Sequence, residues 1–231
     1  MGLFSGVCSI VGAAVNFIGS CMNRLGSNIC TFGQKILSPF PNIDIAIRVI
    51  DAVVKIVKYI GKELGLIEKE EQIDEIGAKA MQEDSLARDK FKSNQEYIEY
   101  LRNKVELDIE KFNKKSPEEK VACKAVGVAI VTRAIEEKTG IELPPEFLLN
   151  AEKIKLSGQE VKTFIEKFKE NGFNNMGIMT DYLQKNNDKS NSDKISATIG
   201  EGLKENNPKL SDDEVENKII DMILESRNNE K

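Results

Sequence analysis

At 231 residues, with 31% charged and 40% hydrophobic side chains and a net charge of −5, the chain has the length for one large domain or two small ones and the make-up of a folded protein. It contains no His, which excludes His-based acid–base catalysis and His-ligated metal, and it carries no P-loop, dinucleotide fingerprint or EF-hand pattern. Residues 1–67 hold six basic and three acidic side chains, a net of +3, so the rest carries −8; an acidic back half argues against nucleic acid as a partner, since phosphates need a basic surface.

Met1–Asn23 contains no charged side chain, and the first basic residue, Arg24, follows that run. A cleavable signal peptide places its basic region first, so none is expected. The opening Met-Gly has Gly6 where a myristoylation start wants Ser or Thr, which weighs against lipidation at Gly2. Cys8, Cys21 and Cys30 lie in this apolar stretch and Cys123 stands alone, with no C-x-x-C spacing; they read as small hydrophobes in a reducing compartment.

The first predicted helix runs over about 3–36 and ends at Ser38-Pro39-Phe40-Pro41. Ser5, Gly12, Gly19, Gly26 and Gly33 recur every seven residues, and Ser9, Asn16, Asn23 and Cys30 form a second series offset by four. Together they make one stripe of small and amide side chains, opposed by apolar residues from Leu3 to Ile36. Each Gly costs a helix about 1 kcal/mol relative to Ala. Close backbone packing along Ser5, Ser9, Gly12, Asn16, Gly19, Asn23, Gly26 and Gly33 would offset that cost. The alternative is a flexible Gly- and Ser-rich segment with no fixed helix. Over residues 2–37 the pattern resembles the glycine-zipper segments of membrane-active and self-assembling proteins, a likeness of packing style.

The second predicted helix covers about 43–64. Asp44, Arg48, Asp51, Lys55, Lys58 and Lys62 alternate in steps of four and three, forming one charged line on an otherwise apolar rod. Three environments satisfy it: the centre of the domain with its stripe reaching water, a homo-oligomer, or a bilayer with the stripe facing a lumen or headgroups.

Further helices are predicted near 70–83, 94–112, 117–138, 145–155, 158–170, 176–186, 194–205 and 212–227, with a polar linker over Asn186–Ser192 and fraying over Asn228–Lys231. Ser-x-x-Glu at Ser93/Glu96, Ser116/Glu119, Ser157/Glu160 and Ser211/Glu214 matches the capping box, in which Ser accepts from the third amide and Glu reaches back to the cap. Cys123 reads as packing, because no His exists to activate it.

The pattern thus predicts an all-α protein. A long apolar helical hairpin over 1–66 precedes an acidic multi-helix domain over 68–231. It predicts a non-enzymatic, membrane-active or self-assembling protein that oligomerises through its glycine stripe. In the sharpest version both polar stripes line a pore. The alternative is a cytosolic adaptor or chaperone-like protein whose front helices are buried by a partner or by its own core. Homo-oligomers are expected, with a lipid membrane or another protein as further partner, no nucleic acid, and no cofactor or metal. The expected location is membrane-associated or cytoplasmic.

Overall fold

The computed structural model describes residues 10–83, 86–184 and 191–228. Within them the fold is all-α: thirteen helices, a single 3-10 turn at Arg88–Lys90, and one isolated backbone bridge between Glu142 and Asn175.

The centre is α8, Pro117–Thr139. Ser116 accepts from the Glu119 amide at 3.2 Å, and the Glu119 carboxylate accepts from the Ser116 amide at 3.0 Å, so the expected capping box is complete. Pro117 occupies the first turn, where no amide partner is needed, and Gly140 ends the helix at φ +73°. Between these ends Val121–Val128 and Ala129–Ala134 are buried on nearly every side, apart from Lys124 and Arg133.

Three elements replace the single helix expected over 3–36: α1 (Ile10–Ser20), α2 (Met22–Leu25) and α3 (Ser27–Leu37). One break falls at Cys21 and the other at Gly26, whose φ of +76° suits glycine and resets the helical register. The chain then folds back, so that the Gln34 side-chain amide donates to the Val15 carbonyl at 3.1 Å, tying α3 to α1. Helix α4 (Ile43–Glu63) matches expectation, with Asn42 accepting from the Ile45 amide at 3.0 Å and Gly65 at φ +67° beyond its end.

Helix α5 (Ile73–Gln82) lies against α8. The helix expected over 94–112 is two, α6 (Asn94–Lys104) and α7 (Ile109–Asn113), because Val105 is extended and Asp108 starts a new cap on the Lys111 amide. At α6 the box is half made: Ser93 accepts from the Glu96 amide, but the Glu96 carboxylate takes the Lys92 amide instead. Then follow α9 (Pro145–Lys153), α10 (Gly158–Glu170), α11 (Gly177–Gln184), α12 (Ser192–Asn206) and α13 (Asp212–Arg227), with full capping boxes at Ser157 and Ser211. Most of the predicted Asn186–Ser192 linker, and Asn229–Lys231 of the predicted frayed end, lie outside the described residues.

Helices α1, α3, α4, α5 and α6 surround α8, while α9 and α10 cover the far side of α4. The front helices meet each other less than they meet α8. Buried side chains on both sides of Ile67 join one contiguous core, from Ile18, Ile36 and Ile60 to Val126, Phe147 and Phe164. Leu66 and Ile67, at the expected boundary, are themselves buried, and Arg102 holds this corner by donating to the Leu66 carbonyl and pairing with Glu71 at 2.7 Å.

Candidate functional site

The stripe residues of the front segment face different ways. Ser5 and Ser9 lie outside the described residues. Asn16 and Asn23 point to solvent, and Gly12 is half-buried. Gly19 sits under the tip of Gln34, 3.0 Å from where its Cβ would be, and Gly33 faces the Ala125 backbone of α8 at 3.6 Å. Gly26 is the helix break, so it holds a turn and not a packing contact; a Cβ there would meet nothing within 4 Å. Sequence spacing cannot distinguish these uses, because a break and a close approach both favour glycine.

The charged line of α4 runs along the outer surface. Asp44, Arg48 and Lys55 are exposed, and Asp51, Lys58 and Lys62 are half-buried. Asp51 pairs with Lys124 of α8, and Lys58 donates to Gln72 at 2.6 Å. The inner side, with Ala46, Ile50, Val53, Val57 and Ile60, is buried. Of the three environments open to this helix, the packing within the chain corresponds to the first, a domain interior with part of the stripe reaching water.

The tightest backbone approach lies elsewhere. A Cβ on Gly77 of α5 would lie 2.7 Å from the Gly127 nitrogen and inside the Cys123 carbonyl of α8. A Cβ on Gly127 would lie 2.8 Å from the Ile73 carbonyl carbon. The two glycines are the crossing point of α5 and α8. The small-residue spacing Cys123-x-x-x-Gly127 is visible in the sequence, but its partner lies some fifty residues earlier.

Burial pushes the Cys123 thiol up to about 12 and the Cys30 thiol to about 11, so both stay protonated at neutral pH. A polar cleft of about 530 Å³ opens where the start of α3 faces α6 and α8. Four of its five charged residues pair, Arg133 with Glu136 at 2.6 Å and Arg88 with Glu137 at 3.5 Å, Asn94 donates twice to Glu137, and Asp89 is the fifth. Burial raises the Glu136 carboxyl, opposed by hydrogen bonds from the Leu143 amide and Arg133.

A second recess of about 510 Å³ lies along α13, between it and the α11–α12 pair. Ala197, Gly200, Val215, Ile219 and Ile223 form its floor, with Tyr182 at one end. Gly200 lets α12 come close, since a Cβ there would stand 3.3 Å from Val215. Ile220, also in its lining, is 46% exposed, and Leu224, outside the lining, is 61% exposed. The far end of α13 is tied down: Lys153 donates to the Ser226 carbonyl at 2.7 Å, Ser226 donates to Asn150, and Arg227 donates to the Leu183 carbonyl at 2.8 Å. The sequence signal was the doubled apolar pairs Ile219-Ile220 and Ile223-Leu224, wider than a one-sided surface helix needs.

No family model, curated protein or solved structure matches this chain.

Proposed function

We propose that this chain is a non-enzymatic helical interaction protein that works by contact with another protein. The observation that carries the reading is where the apolar surface goes. The apolar faces of α1, α3 and α4 cover α8 of the same chain, while α13 leaves Ile220 and Leu224 in water. An apolar row held on a fixed helix is a docking feature. The protonated thiols and the Arg133–Glu136 and Arg88–Glu137 pairs of the polar cleft favour contact over chemistry.

The membrane-active, self-assembling reading needs a different state. Helices α1, α3 and α4 would have to leave α8, exposing buried side chains such as Val126, Ala129 and Ile130. Among the described residues no helix is long and apolar enough to cross a membrane. The two readings separate in one experiment. The full chain is mixed with dye-loaded vesicles of zwitterionic and of anionic lipid, then floated on a density gradient. The interaction reading predicts protein in the aqueous fraction and retained dye. Flotation with dye release overturns it in favour of membrane insertion.

A further inference from the structure

Resting on that reading, we propose that the recess along α13 takes a basic amphipathic helix of a partner protein. The floor asks for an apolar face. Val215, Ile219, Ile220 and Ile223 line it, and Ile220 is 46% exposed. From Val215 to Ile223 the row extends about 12 Å at 1.5 Å per residue, about two turns of a docked helix. Anchors at i, i+3/i+4 and i+7 on such a helix would meet this row.

The rim fixes the charge of the partner. Asp193, Asp212 and Glu216 line the recess, and no Lys or Arg does. Lys204 engages Asp212, whose carboxyl is held below its usual range by that contact. Asp193 and Glu216 have no ion-pair partner among the described residues. Helix α13 as a whole carries Asp212, Asp213, Glu214, Glu216, Asp221 and Glu225 against Lys218 and Arg227. An acidic helix docked here would set like charges face to face, whereas Lys and Arg flanking an apolar stripe would meet carboxylates on both sides. The ties from α9 and α11 to the end of α13 hold the surface in shape before binding.

The test uses the full chain and two fluorescent probe helices of about 18 residues. Both carry the same Leu stripe, one on a Lys background and one on a Glu background, and binding is read by anisotropy. The Lys probe is expected to bind, and to weaken severalfold as salt rises from about 50 to about 500 mM. Ile220→Glu, at an exposed lining site and with the fold intact by circular dichroism, is expected to weaken it at least about tenfold. Diffuse attraction to an acidic protein predicts the opposite sign, because that variant adds negative charge. Unchanged or tighter binding by Ile220→Glu therefore overturns the proposal. Equal binding of the Glu probe overturns the charge assignment and leaves the interaction reading standing. If neither probe binds and the chain runs as a dimer that Ile220→Glu dissociates, the occupant is a second copy and the proposal fails. If neither binds and the chain is a monomer, the proposal fails together with the use of α13 as a contact surface.

Discussion

Replacing Gly77 with Ala puts two effects in opposition at one position. On helix propensity alone, Ala in the middle of α5 should stabilise the protein by about 1 kcal/mol. The added Cβ, however, would lie 2.7 Å from the Gly127 nitrogen and 2.8 Å from the Cys123 carbonyl carbon. Ordinary contacts of this kind begin near ~3.5 Å, and the Cys123 carbonyl oxygen lies closer still, so the two helices must separate by about 1 Å or more. The atoms in the way are backbone on both sides and cannot swing aside as a side-chain tip can. A gap of that size forfeits roughly a quarter to a half of each dispersion contact across the face. The α5 side of that face includes Ile73, Ile76 and Ala80, all buried. Overpacking costs about 1–3 kcal/mol in more yielding cores, and this crossing belongs at or above the top of that range. The net expectation is a loss of about 2–3 kcal/mol. In a chain of this size that lowers the melting temperature by about 4–12 °C. Thermal unfolding followed by circular dichroism, with urea midpoints as a check, reads the change directly. Gly127→Ala should behave alike, and the double variant should lose less than the sum because one separation serves both. A melting temperature equal to or above the wild type's for Gly77→Ala would refute the close crossing.

Three further outcomes follow from the same packing. Ala14 is fully buried and Gly19 lies under the flexible end of Gln34, so Ala14→Leu should lower the melting temperature by several degrees while Gly19→Ala changes it by a degree or two at most, as scanning calorimetry would show. A fragment beginning at Glu68 removes the α1, α3 and α4 cover from α8 and should aggregate or bind a hydrophobic dye; a monomeric fragment with a cooperative melt would contradict the shared core. Backbone and side-chain hydrogen bonds from Ser116, with Lys115 nearby, lower the Glu119 carboxyl, so its stabilising effect is present above the unfolded carboxylate range and lost as pH falls through the folded value. Glu119→Gln should therefore be less stable than the wild type at neutral pH, and the gap in melting temperature should close on acidification; a constant gap would assign the loss to something other than charge.

Local chemistry was the most readable part of the sequence. The Ser116, Ser157 and Ser211 boxes form as their spacing implies, since every participating atom lies within one turn. The apolar run of α8 likewise marked the helix that others surround. Two things were not readable. The heptad of glycines counts positions without conformations, so Gly26 at φ +76° looks like one more rung of a seam although it ends a helix. The crossing at Gly77 and Gly127 joins distant segments, and no local period encodes which small residues will meet. The inverted polarity of α4 was legible but open to several surroundings. In the fold α8, α9 and α10 lie against its apolar sides, and along the Asp44–Lys62 line Asp44, Arg48 and Lys55 reach water while Asp51 and Lys58 engage Lys124 and Gln72. The recess along α13 was half legible, as an apolar stripe too wide for its helix, while its acidic rim depends on how α12 lies against it.

Hydrogen exchange on the full chain, with and without vesicles, tests the central claim most directly: that the front helices belong to the core of an interaction protein. Amides in α3 and α4, such as those of Phe32, Val53 and Ile60, should exchange as slowly as those of Val126 and Ile130 in α8. Both groups should open together in one cooperative event, unchanged by lipid. Fast exchange in α3 and α4 that slows only when vesicles are added would contradict the account and point to a front segment that a membrane buries.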